Sequence, residues 1–318
     1  MSSPRLDFVT CASPAGLHRM AYWEWGDPDN DKVLVCVHGL TRTGRDFDTL
    51  ARRMAGEYRV VCPDVAGRGA SDWLANPAFY TVPQYVADMV TLLARLRPAT
   101  LHWVGTSMGG LIGMALGGSA VLSARLRAAG AGRPAGGPAL PGGGWHIGKM
   151  VLNDVGPRLQ PAALARIGEY VGAPVDVADF DAAVAYVQDV SGAFGPHSDA
   201  QWRELAQHVF VERNGRWSKH YDLRLSAPFA VQDEAALAAG EQFLWQAYEA
   251  LDCPLLVLRG ERSDLLTPET VAEMCRRNPR ARAIDVPGVG HAPTLMADSQ
   301  IAPVAHFLLE EQGADGLQ

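Results

Sequence analysis

Residues 101–110 constrain this chain more than any other stretch. An apolar run from Leu101 to Val104 ends in Gly105-Thr106-Ser107-Met108-Gly109-Gly110, and a second apolar run follows at once. A short apolar run closed by glycine reads as a buried strand, while Leu111, Ile112, Met114, Ala115 and Leu116 supply the apolar content of a helix. Ser107 therefore falls at a tight strand-to-helix turn. Such a turn forces its central residue into strained backbone geometry, and side chains at Gly105 or Gly109 would collide with the adjoining strand or helix. The plain reading is a turn that merely packs a helix on a sheet; the chemical one is a serine hydroxyl lifted clear at a strand end.

The rest of the chain repeats the same alternation. Residues 5–11 and 18–25 read as two strands joined by Pro14-Ala15-Gly16, antiparallel neighbours at one edge of a sheet. Val33-Leu34-Val35-Cys36-Val37 is a strand buried on both faces, and it ends in His38-Gly39-Leu40-Thr41. A strand at 58–62 leads into Pro63-Asp64-Val65-Ala66-Gly67-Arg68-Gly69-Ala70-Ser71-Asp72, and a helix at 83–96 precedes the Ser107 strand. After Met150-Val151-Leu152 the alternation lapses. It returns with a strand at 255–258, a loop through Asp264, a helix from Pro268, a strand at 283–286, Gly288-Val289-Gly290-His291 and a last helix to about residue 311. This order predicts an α/β fold: a mostly parallel central sheet with helices on both faces. Residues 1–156 and 249–318 form the expected core, and 157–248, with helical patches and no clear strand, form a helical cap. Within the core, 128–144 is so rich in glycine and proline that a flexible surface insertion is expected.

Composition narrows the partners. The chain has 318 residues, 48% hydrophobic and 20% charged, enough for one large core with an insertion. A net charge of -7 without any Lys/Arg block argues against nucleic acid or an anionic membrane as partner. Met1-Ser2-Ser3-Pro4-Arg5-Leu6-Asp7 has no apolar run of the secretory kind, and the glycine-rich stretch from Met108 reads as a buried helix rather than a membrane span. Cys11, Cys36, Cys62, Cys253 and Cys275 are odd in number and widely spaced, which suits reduced thiols in a cytoplasmic protein. The histidines lack paired ligand spacing, so no metal is expected, and Gly67-Arg68-Gly69 alone reads as a structural turn rather than a phosphate cradle.

Taken together, strand/His-Gly, strand/Pro-Asp-x-x-Gly-x-Gly-x-Ser, strand/Gly-x-Ser-x-Gly-Gly, cap, strand/Gly-x-x-x-Asp and strand/Gly-His resemble the α/β-hydrolase fold superfamily over nearly the whole chain. The resemblance implies a nucleophile at Ser107, a general base at His291, an acid at Asp264, and oxyanion-hole amides at Leu40 and Met108. A serine hydroxyl needs an imidazole to take its proton, and the imidazole needs a carboxylate to fix its tautomer. Asp154 is the second candidate for that carboxylate, although Asn153-Asp154-Val155-Gly156-Pro157 also reads as a hinge into the cap.

Haloalkane dehalogenases and epoxide hydrolases resemble this fold but carry aspartate as nucleophile; Ser107 and Thr41 depart from their pattern. The expectation is a cofactor-free serine hydrolase acting on a small carboxylic ester or lactone. Carbon-carbon bond hydrolases of ring-cleavage products share the same motif, and a non-enzymatic ligand-binding protein on this fold is the alternative from another class. Arg42 could meet a substrate carboxylate, and Trp145 and Trp202 could line an acyl pocket, although solvated loop arginines and cap-core tryptophans are the commoner outcomes.

Overall fold

The computed structural model describes residues 3–128, 146–231 and 234–310. The chain opens with β1 (Arg5–Ser13), β2 (Gly16–Trp25) and β3 (Lys32–Val37), then α1 (Asp48–Met54), β4 (Arg59–Pro63), α2 (Val82–Leu96), β5 (Thr100–Thr106), α3 (Met108–Ala128) and β6 (Ile147–Asn153). An inserted segment follows, with α4 (Pro161–Val171), β7 (Asp176–Val177), α5 (Phe180–Val190), α6 (Asp199–Gln207), β8 (Phe210–Arg213), β9 (Arg216–Lys219) and α7 (Ala227–Val231). The chain continues with α8 (Glu234–Ala250), β10 (Leu255–Gly260), α9 (Pro268–Arg277), β11 (Ala281–Val286) and α10 (Asp298–Leu309).

Eight strands form one sheet in the order β1-β2-β4-β3-β5-β6-β10-β11. Only β2 runs against the others, pairing antiparallel with β1 and with β4, as the Pro14-Ala15-Gly16 turn implies. The doubly apolar strands sit at the centre for the reason their sequences give. Val33, Val35 and Val37 of β3 point into the apolar layer under α2, α3 and α8, whereas Leu34 and Cys36 point into the layer under α1 and α10. In β10, Leu255 and Val257 face the first layer and Leu256 and Leu258 the second. All five cysteines are unpaired, four of them buried.

Two departures from the sequence reading concern helices. The helix after Ser107 is longer than its first apolar run suggests: over Met108–Arg127 it is long and apolar enough to cross a membrane by composition alone, yet it lies on β5 between α2 and α8. Its glycines make that seat possible. A Cβ at Gly113 would strike the Trp103 indole, and one at Gly118 the backbone of Ala247 on α8. That contact also packs α8 on α3 of the core layer. The inserted segment is not purely helical. Short strands β7, β9 and β8 form a three-stranded antiparallel sheet, where Arg/Glu/Lys-rich sequence hid the alternation from a reading based on apolar runs. The Gly/Pro-rich stretch at 129–144 lies outside the described residues.

Candidate active site

Ser107 follows the last residue of β5 with a φ of +51°, and the helix α3 starts at the next residue. The neighbouring glycines permit the turn: a Cβ on Gly105 would meet the Gly109 backbone, and one on Gly109 the Val37 carbonyl of β3. The turn is fixed to the sheet by the Ser107 amide, which donates to the Asn153 carbonyl of β6 at 2.9 Å.

The Ser107 hydroxyl donates to Nε2 of His291 at 2.9 Å, and Nδ1 of His291 donates to a carboxylate oxygen at 2.7 Å. That oxygen belongs to Asp154. Asp264, the acid expected from the loop after β10, is about half exposed and makes no bond to His291; it forms a two-pronged ion pair with Arg166 of α4 at 2.8 and 3.0 Å.

Strand order gives the reason. β6 lies next to β5, with Asn153 registered against Thr106, so Asp154 and Ser107 leave adjacent strands at the same height. β10 is one strand further out. The β10 loop does reach the site, where it holds that carboxylate: the Gly260 amide and the Ser263 hydroxyl each donate to Asp154 at 2.7 Å. Asp154 is fully buried and adopts a φ of +58°, the same left-handed strain as Ser107. The sequence signal for it was the Asn-Asp step, since those residues tolerate that conformation best.

Leu40 and Met108, expected to supply oxyanion amides, both lie near Ser107. Leu40 lies in the turn after β3 and lines the same cavity as Ser107; Met108 is the first residue of α3, so its N–H has no partner within the helix. Both residues are held by Arg68, which the sequence reading passed over. Its fully buried guanidinium donates to the Leu40 carbonyl at 2.8 Å, to the Ala66 carbonyl at 2.7 Å and to the Tyr85 hydroxyl at 2.9 Å, and rests on the Met108 sulfur at 3.4 Å. A guanidinium between two glycines gave no apolar pattern to notice. Gly67 and Gly69, as expected, make a structural turn: both take positive φ, and a Cβ at Gly69 would run into the Asp64 carboxylate.

The His291 loop is pinned from both sides. Asn153 donates through Nδ2 to the Pro293 carbonyl at 2.8 Å, and from the inserted segment the Ala193 carbonyl accepts the Gly290 amide at 2.6 Å. His197 accepts the Thr294 hydroxyl at 2.8 Å.

Arg42, the expected substrate contact, reaches the cavity wall but is engaged. It binds Asp46 through Nε and Nη2 at 2.7 and 2.8 Å and donates to the Leu205 carbonyl of α6 at 3.2 Å, tying the inserted segment to the core. Trp202 does not line the cavity; its indole lies 4.8 Å from the His197 ring inside the inserted segment's own apolar cluster. Helical spacing looks the same for a core tryptophan and a cavity one. Trp145 lies outside the described residues.

Above Ser107 and His291 the inserted segment leaves a cavity of about 120 Å³, lined on its far side by Tyr170, Tyr186, Lys219 and Tyr221.

Cys11, His18 and Asp88, all buried, bring their ligand atoms together away from this cavity, and burial pushes the Cys11 thiol up to about 12. The described site residues offer no comparable ligand set near Ser107.

Burial shapes two further histidines. His38, which accepts the Val65 amide at 2.9 Å and donates to the Gly39 carbonyl at 2.7 Å, is pulled down from 6.5 to about 3 by burial; His102 is pulled down to about 4 for the same reason. Both are neutral in the folded protein but take up protons below 6.5 when unfolded. A depressed folded value means that stability present above pH 6.5 is lost as the pH falls toward 4. The unfolding free energy, measured by urea titration, is expected to fall between pH 6 and pH 5, since His38 and His102 each contribute up to about 1.4 kcal/mol per pH unit, while buried Asp64, raised to about 6, opposes them with no more than about the same amount for one group. A His102→Asn variant should show a shallower slope over that range.

The site also agrees with known proteins. The model of the alpha/beta hydrolase family matches residues 34–305. This chain belongs to the alpha/beta hydrolase family. The hydrolase is 52% identical over 310 residues to the 3-hydroxybutyrate-oligomer hydrolase of Cupriavidus necator, covering 96% of this chain and 98% of that protein. Among solved structures, an alpha/beta hydrolase from Novosphingobium aromaticivorans superposes with a TM-score of 0.77 at 34% identity, covering 97% and 99% of the two chains. A Rickettsia typhi protein superposes with a TM-score of 0.81 at 25% identity, covering 96% and 99%. The architecture expected from the motif order is thus the one this hydrolase has.

Proposed function

We propose that this hydrolase cleaves linear ester oligomers of short 3-hydroxy acids, 3-hydroxybutyrate oligomers first among them, through an acyl-enzyme on Ser107. The observation that carries the reading is the continuous hydrogen-bonded chain from Asp154 through His291 to Ser107 at the floor of a small, covered cavity. The whole-length likeness to a 3-hydroxybutyrate-oligomer hydrolase supports the substrate class.

The chemistry follows from the atoms. Ser107 Oγ attacks the ester carbonyl while Nε2 of His291 takes its proton, and Asp154 holds the imidazole in the required tautomer and stabilises the imidazolium. The Leu40 and Met108 amides stabilise the developing oxyanion, each worth on the order of 3 to 4 kcal/mol. His291 returns the proton to the leaving alkoxide, and water then releases the hydroxy acid by the same route in reverse. The inserted segment acts as a cap that excludes bulk water and sets chain length. The unpaired and mostly buried cysteines support a cytoplasmic location.

The test is turnover by the purified protein of 3-hydroxybutyrate dimer and trimer, followed by NMR. Comparators are p-nitrophenyl butyrate, a γ-lactone and a ring-fission dienone. The dimer and trimer should be cleaved with the highest kcat/KM among the natural-type substrates. Faster turnover of the dienone would move the enzyme to carbon-carbon bond hydrolysis.

A further inference from the structure

The cavity wall opposite Ser107 contains a buried cation that the hydrolytic chemistry does not use. Lys219 ends β9, is 7% exposed, and lines the cavity that holds Ser107 and His291. Two of its three N–H groups donate to the Tyr170 and Ala173 carbonyls at the end of α4, both at 2.8 Å. The rings of Tyr186 and Tyr221, also cavity walls, lie 5.4 and 5.5 Å from it. Two carbonyls and two aromatic faces partly screen a buried ammonium, but none of them carries a full negative charge.

The contrast with the other cavity cations is specific. Arg42 is neutralised by Asp46, and Arg166 by Asp264. Among the described residues no carboxylate lies within ion-pair distance of Lys219, and the cavity lining contains no Asp or Glu. A buried charge without a counter-charge is costly, and proteins keep one chiefly where a ligand supplies the missing partner.

We propose that Lys219 binds the free carboxylate of the substrate, on the alcohol side of the ester attacked by Ser107, so that the enzyme selects oligomers ending in a free acid over neutral esters. The proposal rests on the reading that linear hydroxy-acid oligomers are the substrates, since in such a chain the leaving alcohol carries the terminal carboxylate. Two further facts support it. Burial alone lowers the Lys219 ammonium to about 8, which leaves it mostly charged at neutral pH. Its ammonium donates to two carbonyls only among the described residues, and a charge-assisted bond to a carboxylate in a covered cavity is stronger than its surface counterpart.

Lys219 also caps the end of α4, so the test must separate charge from architecture. Steady-state kinetics on 3-hydroxybutyrate dimer and on its methyl ester would be compared for wild type, Lys219→Gln and Lys219→Arg. Wild type should favour the free acid. Lys219→Gln, which keeps donors for the two carbonyls but loses the charge, should lower the acid-to-methyl-ester ratio of kcat/KM at least tenfold, mainly through KM. Lys219→Arg should retain most of that ratio. Parallel loss on both substrates, with the ratio unchanged, would overturn the proposal and leave Lys219 a helix cap.

A wild-type measurement covers the case in which Lys219→Gln does not fold. 3-Hydroxybutyrate should inhibit p-nitrophenyl acetate hydrolysis competitively, at least tenfold more tightly than the neutral 3-hydroxybutyramide; equal inhibition would overturn the carboxylate subsite. If wild type cleaves p-nitrophenyl acetate but neither dimer form, the substrate reading fails on its own, and the inhibitor pair still decides the role of Lys219.

Discussion

Ser107→Ala should lower kcat for ester hydrolysis by about five to six orders of magnitude while leaving the protein folded. The loss is large because the serine oxygen is the hydroxyl held against the His291 imidazole, so what survives is binding and oxyanion stabilisation without that nucleophile. Folding should survive because the Cβ remains and the strain at φ +51° is shared by Ser and Ala. The bond lost, to His291 Nε2, also leaves no fully buried charge behind. The melting temperature should move by no more than a few degrees. Burst kinetics with p-nitrophenyl butyrate and labelling by an organophosphonate would be read alongside. Retention of a tenth of the wild-type rate would remove Ser107 from the mechanism.

The second large effect separates the two aspartates. Asp154→Asn should reduce kcat by about 10⁴, because an amide facing Nδ1 of His291 selects the wrong imidazole tautomer. It should also destabilise the protein by about 1 to 3 kcal/mol, since Asp154 receives the Gly260 amide and the Ser263 hydroxyl in a fully buried place, and an amide cannot accept from all three donors at once. Asp264→Asn removes one side of a half-exposed ion pair with Arg166, worth no more than about 1 kcal/mol, and should change kcat less than threefold. Paired measurements of kcat and urea midpoint on the two variants decide the matter: if Asp264→Asn proved the crippling change, the acid would have to be reassigned to the β10 loop.

These two experiments divide along the line between local and distant information. Ser107 was legible because everything that makes it special is local: a strand, two small neighbours and a helix, all within ten residues. His291 was legible for the same kind of reason, a Gly-His step closing the last strand. The sheet was legible too, because strands such as β3 and β10 must be apolar on both faces to lie at its centre, and helical periods separate them.

The acid was not. Nothing in the ten residues around Asp154 or Asp264 says which strand lies beside β5, and that adjacency alone puts Asp154 rather than Asp264 level with Ser107. Spacing in a loop suggested Asp264, and the loop does serve the site, but through Gly260 and Ser263. Arg68 and Lys219 belong to the same class. Each is a charged residue in a polar-looking stretch, and each became buried through contacts with residues far away: Arg68 with Leu40 and Tyr85, Lys219 with the end of α4. Hydrophobic pattern and turn chemistry, which act between near neighbours, determined the order of elements and the turn that carries Ser107. Which carboxylate orients His291, which arginine holds the Leu40 turn and which lysine faces the cavity were decided by strand order and by the packing of the inserted segment, because a hydrogen bond depends on distance in space and is indifferent to separation along the chain.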